Sequence, residues 1–220
     1  TSIHQAVGIL GMNSVVNIVN GISIKSSMSD DKIKALTRFW DSAMDVAMTS
    51  ATLAKAVGYN YPDNAYTLGL FHNCGVPLLM SRYDNYVDIM IESYSGSHER
   101  IIDFENQQLN TNHAVIGYYT AKSWHLPKVL CEIIADHHNC RRLYTTKSNE
   151  TDKITLTSIL KMAEHICGTY IVLGQQEKDH EWEDIGNLVL EFLGFNDYDL
   201  DNFKETFSEM GISPSNYGVT

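Results

Sequence analysis

Leu70-Phe71-His72-Asn73-Cys74-Gly75-Val76-Pro77 decides how this chain reads. An apolar helix running through Tyr66, Leu68 and Leu70 ends in a His-Asn pair, and Gly75 and Pro77 stop it. Histidines return from distant segments at His113 and at His137-His138, and a carboxylate, Glu164, follows inside a later helix. Imidazoles and carboxylates converging on divalent ions are the donor set of metal-assisted hydrolysis, in which metal-bound water loses a proton near neutral pH. The structural alternative is that each histidine donates to a backbone carbonyl at a helix end. With 9 histidines in 220 residues, spacing alone does not choose between the two.

Composition narrows the classes. Hydrophobic residues make up 44% and charged residues 20%, an ordinary globular balance for one large domain or two small ones. The net charge of -11 opposes binding to phosphate backbones and anionic membranes. No basic helix face is evident, so neither a nucleic-acid nor a membrane partner is expected. No apolar run approaches a membrane span, and no signal-peptide pattern is present. Cys74, Cys131, Cys140 and Cys167 are scattered, which fits reduced thiols in the cytoplasm rather than a disulfide framework.

Outward from the opening stretch, apolar positions recur at helical spacing and sustained strand alternation is absent. Residues 2–10 and 13–25 read as two short helices, apolar enough to need a partner surface, so a segment is expected upstream of Thr1. Asp30 or Asp31 opens a long helix to about Val57, with two apolar stripes. One runs through Ile33, Leu36, Trp40, Ala43, Ala47, Ala54 and Val57, the other through Phe39, Ser42, Val46 and Leu53. A helix with two such stripes is packed on more than one side. Ser42 is expected to bond back to the preceding turn. Asp63 or Asn64 starts the helix that ends at His72. Further helices are expected over Tyr83 to Tyr94, from Arg100 and Ile101 to about Gln107, and from His113, capped by Thr111 or Asn112, to Trp124. Pro127 suits a first helical position, opening a helix that ends at Asp136. Residues 139–152 read as a polar, basic surface loop, and Lys153 to about Leu173 as one helix with Glu164 on the flank of its stripe. Residues 174–181 read as a linker, followed by acidic amphipathic helices over about 182–193 and 199–210. The fold class is all-α, a helical bundle around one long central helix with short C-terminal helices.

The motif order adds more. Arg38-Phe39-Trp40-Asp41-Ser42-Ala43-Met44, then Leu68 to Gly75, then His113-Ala114-Val115-Ile116-Gly117, then Trp124-His125-Leu126-Pro127, then His137-His138 resembles the HDOD family, a divergent branch of the HD-type metal-dependent phosphohydrolases. The resemblance covers roughly residues 3–173. It implies an HDOD-like domain over 1–173 lacking its N-terminal segment, a linker over 174–181, and a helical extension over 182–220 packed on the domain.

The departures from the family's pattern carry as much weight. The position of a ligand histidine in active HD enzymes is Ser42 here, and the His-Asp pair that names the superfamily is His72-Asn73. An amide cannot give the negative charge an aspartate gives, and the late aspartate is the longer Glu164. The resemblance therefore implies an eroded site. His72, His113, His137, His138 and Glu164 form a vestigial or partial ligand set, and Ser42 and Asn73 are the eroded positions. Either no cofactor or a single divalent ion is expected, instead of the dinuclear centre common in the superfamily. Arg141 and Arg142 are the candidate contacts for an anion, against the alternative of a solvated loop. The function implied is a non-catalytic signal-transduction module binding a protein partner or a small ligand. The alternative is a weak phosphohydrolase of nucleotides or cyclic dinucleotides.

Overall fold

The computed structural model describes residues 30–145 and 151–213. The expected helices over 2–10 and 13–25 lie outside the described residues, as does the middle of the 139–152 segment. Every regular element among the described residues is a helix. In chain order they are α1 (Asp30–Ala56), α2 (Pro62–Phe71), α3 (Val76–Arg82), α4 (Tyr86–Ser93), α5 (Ile101–Leu109), α6 (His113–Ser123), α7 (Lys128–Asp136), α8 (Arg141–Thr145), α9 (Thr151–Cys167), α10 (Thr169–Val172), α11 (His180–Leu193) and α12 (Asp197–Glu209).

The long α1 is the axis, as its two stripes require. Phe39, Ser42, Val46, Thr49 and Leu53 are buried on one, and Ala43, Ala47 and Ala54 on the other. The back-bond expected of Ser42 is made on this helix by Thr37 to Ile33 and by Thr52 to Met48 instead. One face of α1 carries α2, and another carries α9. The approach of α2 is close enough that a Cβ on Gly69 would sit 2.8 Å from Ala47 Cα.

Two hydrophobic clusters fill the interior. The larger joins the second half of α1 to α2, α7, α9, α11 and α12 through Leu53, Leu68, Leu130, Ile134, Leu156, Leu160, Val189 and Phe207. The smaller gathers Phe39, Val76, Met80, Tyr86, Met90 and Tyr94 under Val172 and Leu173.

Several boundaries differ from the sequence reading. The α2 helix starts at Pro62, since a proline loses nothing in the first turn. The helix expected from Tyr83 starts at Tyr86. Pro127 is the residue before α7 and not its first helical position. The expected surface loop contains α8, which buries Cys140 and Leu143 beside it. The single helix expected to Leu173 ends at Cys167, because Gly168 takes a left-handed φ of 68° and a short α10 restarts after it.

Candidate metal centre

Helix ends deliver the site. The opening stretch turns at the end of α2 and packs against α6 so tightly that a Cβ on Gly75 would sit 2.1 Å from His113 O. Only glycine fits there. Next to it, Asn112 caps α6 by accepting from the Val115 N–H at 2.9 Å, which places His113 in the first turn. His137 and His138 follow the last turn of α7. His72, Asn73, His113, His137, His138 and Glu164 are all buried.

The structure brings these residues together. Ligand atoms of His113, His137 and His138 lie within 4.8 Å of one another. The His72 and His137 rings meet edge to face at 5.6 Å, and His72 Nε2 lies 3.3 Å from Glu164 Oε1. Arg141 and Arg142 stand apart from this group. Arg141 pairs with Asp184, and Arg142 pairs with Asp136 at 3.3 Å.

Hydrogen bonding orients every one of the four rings the same way. His72 Nδ1 faces Gly69 O at 2.8 Å, and His137 Nδ1 faces Ile134 O at 2.8 Å. His113 Nδ1 faces the Glu105 carboxylate at 2.9 and 3.0 Å, and His138 Nδ1 faces Glu181 Oε1 at 2.9 Å. A carbonyl or carboxylate only accepts, so each Nδ1 carries a proton. His72 and His137 thus make the helix-end carbonyl bonds anticipated for histidines here, and His113 and His138 donate to carboxylates instead.

The inward-facing nitrogens are the test of fit for a metal. His113 Nε2 and His138 Nε2 face each other at 3.1 Å, a separation that a shared proton or a shared metal ion would hold. His72 Nε2 lies 3.3 Å from Glu164 Oε1. Burial, the Lys161 ammonium and neighbouring imidazoles push the pKa values of His137 and His138 well below the ordinary imidazole range. They are neutral, the form a metal needs. The residues thus fit a divalent ion held by His113, His137 and His138. Asn73 lies against His137, its side-chain oxygen 3.2 Å from Nε2. In the metal-free ring an amide turned to present its N–H would donate to this nitrogen, and an ion held by His137 would take the place of that bond.

Three further residues belong to the site, and the sequence reading did not include them. Glu105, on α5, is 1% exposed and also accepts from the His113 N–H at 2.8 Å and the Tyr86 hydroxyl at 2.6 Å. Burial would raise its pKa, but His113 and these hydrogen bonds hold it below the usual carboxylate range. Lys161, 3% exposed on α9, places Nζ 2.8 Å from Glu164 Oε2 and 2.8 Å from Glu181 Oε2. Burial alone would strip its proton, yet the two carboxylates raise its pKa well above that of a free lysine. Burial likewise opposes ionisation of Glu164, but Lys161 and His72 outweigh it and hold that carboxyl well below the usual range. Glu181 comes from the first turn of α11. A cavity of about 340 Å³ adjoins this wall, bordered by His138, Glu181, Arg100, Arg141, Tyr94 and Tyr170.

The all-helical fold around this histidine cluster is consistent with an HD-like domain. The chain belongs to the HDOD domain family, whose pattern matches residues 1–140. Two crystal structures are similar in fold. One is of a protein from Shewanella amazonensis proposed to be a phosphohydrolase, with TM-score 0.53 and 22% identity over 96% of this chain and 73% of that one. The other is of an HDOD domain protein of unknown function from Geobacter sulfurreducens, with TM-score 0.47 and 17% identity over 74% of this chain and 61% of that one. No curated protein matches the chain. No described helix is long and apolar enough to cross a membrane.

Proposed function

We propose that this chain is a non-catalytic, cytoplasmic HDOD-type regulatory module that binds a protein partner or a small ligand around a buried histidine centre. The observation that carries the reading is the Lys161–Glu164 ion pair. Glu164 is the one carboxylate of the expected ligand set, and at 2.8 Å it already neutralises a buried ammonium. Ser42 and Asn73 leave no other charge on that side. A divalent ion on His113, His137 and His138 would lower the pKa of a bound water. The centre, however, offers that ion imidazoles alone. The adjoining cavity of about 340 Å³ has the size of a small-ligand site.

The phosphohydrolase alternative draws its support from the same cavity, which runs from His138 to Arg100 and Arg141. Both arginines are already matched, to Asp103 and Asp184, so little cationic charge remains for a phosphate. The test is an assay of the untagged, metal-loaded chain against phosphomonoesters, linear dinucleotides and cyclic dinucleotides. The expected result is no turnover above buffer with metal. Saturable hydrolysis abolished by His137→Gln would establish the alternative.

A further inference from the structure

The centre has two places suited to a cation, and in one of them a side chain supplies it. The first is the meeting of His113 and His138, with Nε2 atoms 3.1 Å apart and His137 beside them. The second is the space between His72 and Glu164. There a buried imidazole nitrogen and a carboxylate oxygen lie 3.3 Å apart, groups of the kind a metal takes as ligands. The other oxygen of that carboxylate faces the Lys161 ammonium. Glu181 holds the ammonium from the opposite side while accepting from His138 Nδ1. Lys161 is therefore pinned between two carboxylates, one bearing on each half of the centre.

We propose that Lys161 is a resident cation standing in for a second metal ion, so that the chain holds one divalent ion, on His113, His137 and His138, and excludes another from His72 and Glu164. The proposal deepens the reading given above and rests on it for the tri-histidine ion. The placement of charge agrees with it: the ammonium stands between Glu164 and Glu181, and Glu105 stands on the other side, against His113. An ammonium also differs from a metal in what it can do. It satisfies carboxylates but has no open coordination position, so it fixes the centre without activating water.

The experiment is metal stoichiometry by native mass spectrometry and elemental analysis, using the untagged chain titrated with Mn²⁺ and with Zn²⁺. The wild type is expected to take one ion and Lys161→Met two. Two ions in the wild type, none in the wild type, or a folded Lys161→Met that still takes one would each overturn the proposal. Should Lys161→Met not fold, two substitutions in the wild-type background decide. His72→Gln is expected to leave the affinity for the single ion within about threefold, and His137→Gln to lower it about a hundredfold or more. Comparable losses from both would overturn it. Hydrolysis by a one-ion wild type would sink the non-catalytic reading and leave Lys161 as described, whereas two ions in an inert wild type would sink this inference alone.

Discussion

On one side of the buried centre, three imidazoles from α6 and the end of α7 bring ring nitrogens within 4.8 Å of one another. On the other, Glu164 and Glu181 enclose the ammonium of Lys161 at 2.8 Å each. The electrostatics of the two sides differ. The histidine side sets the neutral rings of His137 and His138 beside His113 and its Glu105 carboxylate. The Lys161 side is ionic and has its cation built in. The family pattern ends at residue 140, so the histidine side falls within it and Lys161, Glu164 and Glu181 lie past it. On the reading proposed above, the difference teaches that a side chain bringing its own charge can stand where a metal ion would otherwise be held.

The sharpest way to break this comparison is to remove the built-in cation. Lys161→Met leaves two carboxylates without their counter-charge, and in chelator it should cost about 3–5 kcal/mol of stability, the usual penalty for halving a buried ion pair. Urea denaturation measures this directly. A cost below about 1 kcal/mol would mean that the pair is hydrated and the two sides are not different in kind.

Acid should then find the histidine side first. His137 and His138 have native pKa values well below the 6.5 of a free imidazole, so below pH 6.5 the unfolded chain binds protons that the folded chain does not. Stability rises with pH wherever the unfolded state binds more protons. In the metal-free chain the contribution of these rings is complete above pH 6.5 and falls as pH drops through it, by up to about 1.4 kcal/mol per pH unit for each ring. Glu105 and Glu164, whose pKa values are depressed, are lost only further down, as pH falls below the ordinary carboxylate range. Denaturation midpoints from pH 8 to pH 4 in chelator should show the imidazole phase first. A flat profile down to the carboxylate range would show the rings to be solvated.

How far was this legible in the sequence? The two stripes of α1 were, because a 27-residue helix repeats its signal many times. The histidines were, because each follows or opens an apolar helix, and motif order tied them together. The α8 helix was not, since only Cys140 and Leu143 face inward among polar neighbours. The break at Gly168 was hidden because the apolar pattern runs on through Ile171 while the backbone turns left-handed. Glu105, Lys161 and Glu181 escaped for one reason. A charged residue on a helix reads as solvated until its partner is known, and the partners lie 8, 20 and 43 residues away. The nearest thing to a signal was the Lys161–Glu164 spacing inside an otherwise apolar run.

A subtler change sharpens the histidine side. Glu105 receives His113 Nδ1 at 2.9 Å and steers its lone pair inward. Carboxylates in that role tune metal affinity through the ring they hold. Glu105→Gln should lower the affinity for the single ion about 10- to 100-fold while its stoichiometry stays at one. Competition against a calibrated chelator gives the number. An unchanged affinity would separate Glu105 from the centre and leave it a structural partner of Tyr86.

The smallest effect belongs to the substitution that looks most like a repair. Asn73→Asp restores the carboxylate of the His-Asp pair beside His137. If the amide were the lesion, metal-dependent phosphoesterase activity should appear. The geometry says otherwise. Ser42 still offers no imidazole, and Glu164 remains committed to Lys161. Asn73→Asp is therefore expected to show no turnover against the phosphoester panel, with one ion bound as before. Robust activity from that single change would mean that the ammonium yields its place to a metal once charge permits, and the two sides of the centre would then be one dinuclear site.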